Sequence, residues 1–94
     1  MRDVYVYSTL QNGALTKTLF TKRFKTSSAP PSIGFSVQPA CLVESYGKLK
    51  QGVVTDVKTE QDVDVVFIGT ETATEDLRCY LVPEGWKEIS GSLE

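Results

Sequence analysis

Lys17, Lys22, Arg23 and Lys25 crowd one short stretch of the chain, with Phe20 and Phe24 among them. Cations interleaved with aromatic rings can hold single-stranded nucleic acid, the cations pairing with phosphates and the rings stacking on bases. The same lysines on an edge strand also keep it from pairing with other chains. A net charge of −2 favours this protective role, and nucleic acid is an unlikely partner. Asp56, Glu60, Asp62 and Asp64 form the acidic counterpart. Carboxylates in such number can hold Ca²⁺ or Mg²⁺. Their spacing fits no metal-loop template, so they read as solvated acids, with no metal and no cofactor.

The hydroxyls of Ser8, Thr9, Ser27 and Ser28 need an activating base before they can attack anything. The chain has no histidine. That removes the Ser-His and Cys-His nucleophile systems and every imidazole metal ligand. Turn hydrogen bonding is the better reading of these hydroxyls. Cys41 and Cys79 lie in apolar strand-like contexts, which predicts inert buried thiols rather than reactive ones. No catalytic set emerges, and the chain reads as non-enzymatic.

Charge is split along the sequence. Residues 1–50 carry seven Lys/Arg against two acids, a net of +5; residues 51–94 carry three against ten, a net of −7. Such a split either makes a bipolar surface that docks a partner or lets two halves neutralise each other within one fold. Tyr5 and Tyr7 alternate with Val4 and Val6. On a strand the tyrosines therefore face away from the valines. Tyr5 and Tyr7, with the cations Lys17, Lys22, Arg23 and Lys25, form the predicted interaction surface.

The elements that must position these residues are strands. The chain has eleven Val, three Ile and ten Thr but only four Ala and one Met. β-branched side chains lose rotamer freedom in helices and pack well on a pleated surface. A first strand runs from Val4 toward Leu10, and Asn12-Gly13 is a strong hairpin signal for a type I′ turn. That turn predicts a second strand over 15–24, with Val6 opposite Leu19 and Tyr5 opposite Phe20. Residues 26–32 form a loop stiffened by Pro30 and Pro31. Further strands are predicted at 33–37, 40–43, 49–57, 62–68 and 77–82, with Trp86 to Ile89 closing the chain. Val63, Val65 and Phe67 share one face of their strand.

These signals predict a mainly-β fold: one small antiparallel barrel or sandwich of six to seven strands, with at most a short helix. Ninety-four residues suffice for one domain with a thin core. The domain is placed at 1–90, and residues 91–94 read as a linker outside it. No apolar stretch reaches the roughly 18 residues of a membrane span. No hydrophobic signal segment opens the chain, so the expected address is cytoplasmic, without membrane partners.

The stretch Val4-Tyr5-Val6-Tyr7-Ser8-Thr9-Leu10-Gln11-Asn12-Gly13 resembles the opening of the gamma-glutamylcyclotransferase-like family, an apolar strand followed by a Tyr-Gly-Ser/Thr-Leu turn. Gln38-Pro39-Ala40-Cys41-Leu42-Val43 is similar to that family's Tyr-Pro-x-x-Val segment. Gln51-Gly52-Val53-Val54-Thr55-Asp56-Val57 is similar to its Val-x-Gly-Glu-Val-Tyr strand. The resemblance implies that Tyr7, Ser8, Thr9 and Leu10 offer backbone amides to a small carboxylate ligand. Two departures stand out. The turn glycine is Ser8, where a glycine-type conformation is costly. The segment between Val57 and Leu77 is also too short for the family's helix and catalytic Glu. The resemblance therefore implies an inactive relative. The residues read directly point to a protein-binding or assembly module, of the kind viruses and mobile elements use. Its partner would be another protein or a copy of itself.

Overall fold

The structure is a computed structural model, and it describes residues 1–10, 17–26, 29–44 and 47–91. Alternation of Val4 and Val6 with Tyr5 and Tyr7 gives the strand β1 (Arg2–Ser8), whose valines are buried. The antiparallel β2 (Lys17–Phe24) pairs with it, and β6 (Lys87–Gly91) continues the sheet beyond β2. On the other side β1 lies parallel to β5 (Val63–Thr70). β4 (Gly52–Glu60) pairs antiparallel with β5, and the short β3 (Ser36–Val37) forms the far edge. The order is β3-β4-β5-β1-β2-β6. Among the described residues the fold is thus mainly β, with six strands and one short helix, as the residue choice predicts. Its sheet is mixed rather than wholly antiparallel, and it stays open instead of closing into a barrel.

Leu77 to Val82 is helical, not a strand. α1 (Thr74–Leu81) buries Leu77 and Leu81 against the sheet. Their spacing of four puts both on one helix face. Glu75 and Asp76 in the first turn suit the positive end of the helix dipole. Val82–Glu84 tightens into a 3₁₀ turn, and Gly85 takes φ 94°. That left-handed conformation is open to glycine, and it turns Trp86 back into the core. Residues 40–43 also fail to form a strand: Pro39–Cys41 is a 3₁₀ turn, opened by a proline that cannot join a ladder.

The β1–β2 register differs by one residue from the expected one. Val6 opposes Phe20 and Tyr5 opposes Thr21. This offset puts Val6 and Phe20, both fully buried, on the helix-covered face. An offset of one would send one of them to the opposite face. Asn12-Gly13 lies outside the described residues. Among the described residues, a two-residue turn with both central φ values positive occurs at Gln61-Asp62, which joins β4 to β5. The core lies between the sheet and α1, built from Val4, Val6, Phe20, Val54, Val66, Ile68, Leu77, Leu81 and Trp86.

Candidate functional site

α1 covers one face of the sheet. Residues opposed across paired strands share a face, so the registers define what lies on the other. Phe67, Tyr5, Thr21 and Lys87 make one row across that face, beginning with Asp56 on β4. A second row runs Lys58, Val65, Asp3, Arg23. A third runs Val53, Gly69, Tyr7, Leu19, Ile89.

The centre of this face is paved with aromatic rings. Tyr5 stacks on Phe67 with centroids 5.0 Å apart and planes 16° apart. Lys58 Nζ sits 5.9 Å from the Phe67 centroid, within reach of a cation–π contact. The Tyr7 hydroxyl donates to Thr55 Oγ1 at 2.9 Å, and Thr55 Oγ1 donates to the Phe67 carbonyl at 3.3 Å. To reach Thr55 on β4, the Tyr7 side chain must cross β5. Gly69 permits this, because a Cβ there would lie 3.2 Å from the Tyr7 hydroxyl and 2.9 Å from a Thr9 methyl. Arg23 forks onto Asp3, with Nε donating to Oδ1 at 2.7 Å and Nη2 to Oδ2 at 3.0 Å. That hydrogen bond holds the Asp3 carboxyl below its usual range, against the opposing effect of its partial burial.

The residues expected at the interaction surface divide between the faces. Tyr5, Tyr7 and Arg23 meet on the uncovered face. Lys22 lies on the helix side, where its Nζ donates to the Glu84 carbonyl at 3.0 Å and stands 5.6 Å from the Phe24 ring. Lys25 is exposed beyond the end of β2. Lys17 pairs with Gly91 in the backbone, and its side chain lies outside the described residues. The basic run therefore makes no single platform with Phe20 and Phe24. The residues of this face that the predicted interaction surface omits are Phe67, Val65, Lys58, Asp56 and Lys87. The shared face of Val63, Val65 and Phe67 was legible, but not which side of the sheet the helix would cover.

Tyr7 to Leu10 has a different setting. Tyr7 and Ser8 belong to β1. The Thr9 amide donates to the Thr70 carbonyl at 2.8 Å, and the Leu10 amide donates to Ser8 Oγ at 3.1 Å. Both amides are thus engaged within the fold. Ser8, Thr70 and Thr72 are buried. Thr70 Oγ1 donates to the Lys50 carbonyl, and Thr72 Oγ1 accepts from the Lys50 amide. Beside them lies an open depression of ≈460 Å³, lined by Leu10, Lys48, Lys50, Glu71, Thr72 and Asp76. Glu71 is exposed rather than desolvated.

The acids expected to be solvated are spread out. Asp56 accepts from the Val57 amide, Asp62 forms the turn, and Asp64 meets Arg2 and Thr59. Among the described residues no cluster of three or more metal-ligating side chains occurs. Cys79 is a free, exposed thiol on α1, not a buried strand residue, because the segment that carries it is helical. Among the described residues no helix is long and apolar enough to cross a membrane.

No family model matches the chain, and no solved structure does. The chain is similar to part of the minor capsid protein L2 of bovine papillomavirus type 1, at 30% identity over 100 residues. The similarity takes in 89% of this chain but 21% of that protein. The chain thus spans about a fifth of the length of the curated relative it matches. That relative is named for its place in a capsid.

Proposed function

We propose that this protein is a non-enzymatic docking module of an assembly, and that it binds protein through the uncovered face of its sheet. The observation that carries this reading is the aromatic layer of Tyr5, Tyr7 and Phe67 on a face that α1 leaves open. Aromatic residues are enriched at protein interfaces, where a rigid ring gives much contact at small entropic cost. Tyr5 stacked on Phe67, and Tyr7 held by Thr55, are already ordered before any partner arrives. A preorganised surface loses little freedom on binding. The similarity to part of a minor capsid protein supports an assembly setting, including a viral one.

Capture on the immobilised chain tests this. A protein partner should be lost with Tyr5→Ser and with Phe67→Ser. It should be retained with Glu75→Lys and Val82→Ser, two exposed positions on the helix side. Equal loss in both sets, or loss only in the helix-side set, overturns the reading.

A further inference from the structure

We infer that a cleft on the helix side of the sheet binds a small free amphiphile with an apolar body and one anionic head. The cleft lies on the opposite side of the sheet from the aromatic face. Its assignment does not depend on the docking reading.

Strand alternation makes the floor. Val4 and Val66 are partners across the parallel β1–β5 pair, and Ile68 follows two residues on, so all three point to the helix side. No residue of α1 lines this end of the face. Phe24 on β2 forms one wall instead, and Pro31, Val37 and Leu42 form the other. The cleft measures ≈310 Å³. That is the lower end of the roughly 300–1,000 Å³ range of small-molecule sites. Phe24, Val37 and Leu42 pack on the core yet are only partly buried. Their remaining apolar surface is wet, and a ligand that fills the cleft removes it from water.

The walls are ordered before a ligand arrives. The Phe24 ring meets Trp86 edge-on at 5.8 Å. The Pro39 carbonyl accepts from the amides of Leu42 and Val43 at 2.9 and 3.1 Å, which fixes the turn that carries Leu42. Val37 is tied to Gly52 of β4 through β3. A preformed cleft loses little freedom on binding.

Charge at the mouth selects the head. Arg2 and Lys25 line the cleft, and among the described residues no carboxylate does. Arg2 opposes Phe24 in the β1–β2 register, and Lys25 follows Phe24, so both cations stand at one end of the apolar floor. Asp64 comes no closer to Arg2 Nη2 than 3.8 Å, beyond hydrogen-bond reach, while its other carboxylate oxygen accepts from Thr59 at 3.2 Å. With Asp64 counted, these three side chains carry one net positive charge, which a single carboxylate balances. Clefts elsewhere lack this combination. Asp3 and Glu60 oppose Arg23 in one, and Glu71 and Asp76 oppose Lys48 and Lys50 in another.

Titration with sodium octanoate, octanol and octylammonium, followed by amide chemical shifts, tests the site. Octanoate should give saturable shifts at Val4, Val37 and Val66. Octanol should bind at the same amides about fivefold more weakly, and octylammonium more weakly still. Lys25→Glu, at an exposed position, should weaken octanoate by about fivefold to tenfold and leave octanol unchanged. Val37→Trp, which fills the cleft, should abolish both, with a well-dispersed amide spectrum as the check on folding; if it unfolds, Lys25→Glu decides. Tyr5→Ser should leave octanoate binding unchanged, so this inference and the docking reading fail separately. Octanoate that shifts no amide, or shifts only those of Tyr5 and Phe67, overturns the site. Octanol bound as tightly as octanoate, or Lys25→Glu without effect, overturns the anionic head. Sedimentation of the chain on phosphatidylglycerol vesicles that is lost with Val37→Trp overturns the free ligand in favour of a membrane lipid.

Discussion

Gln61 and Asp62 show how the chain departs from its easiest local chemistry. Both hold positive φ, 46° and 68°, without a glycine between them. Left-handed backbone costs an L-residue roughly 1 kcal/mol or more, least for Asn and Asp. The paired Gln61→Asn, Asp62→Gly variant should therefore raise stability by about 1 kcal/mol, read as a higher urea midpoint at unchanged slope. Asp3 carries a pH dependence of known sign. Its folded-state carboxyl is held below the usual value by the hydrogen bond from Arg23. The stabilisation is thus present above the unfolded pKa and is lost as pH falls through the folded one. Asp3→Asn should lower the denaturation midpoint near neutral pH, and the difference should vanish as the pH falls through the folded-state pKa of Asp3. The sequence suggests a turn or short kink at Glu60-Gln61, but not its left-handed backbone, and it does not show the Asp3–Arg23 fork. Asn12-Gly13 carried the stronger turn signal, and the partner of Arg23 is set by strand register.

The helix α1 is short, and its stability depends on what it covers. Eight residues are too few to hold a helix in water by propensity. Leu77 and Leu81 supply the contact, and both are fully buried. Leu77→Ala should cost about 2–5 kcal/mol, a large part of the 5–15 kcal/mol typical of a domain. Thermal melts should show it as a fall of many degrees or as loss of a cooperative transition. The first turn has no side-chain cap, since the N-cap residue is Ala73. Ala73→Ser should gain about 1 kcal/mol in the same melts. The helix was missed in the sequence because its two leucines lie amid Cys79, Tyr80 and Val82, whose local preference is for strand. Packing on the sheet overrode that preference. The strands β1, β4 and β5 were legible, because β-branched residues run through each of them.

For the whole molecule the decisive event is the parallel meeting of β1 and β5, which joins residues more than sixty positions apart. It brings Tyr5 onto Phe67 and lets Tyr7 cross Gly69 to Thr55. Gly69→Val should displace the Tyr7 ring and loosen the aromatic layer. Its readout is faster hydrogen exchange of the β4–β5 amides relative to those of α1. Of the described ion pairs, Arg23–Asp3 and Arg78–Glu88 each lie within one half of the sequence, and Arg2–Asp64 joins the halves. The sequence by itself determined the β class and the lack of a histidine-based site, because composition and alternation are local properties. Only the tertiary structure decided which face the helix would cover. Val65 and Phe67 alternate with Val66 and Ile68, and apolar residues on both sides of a strand cannot say which of them will meet the helix.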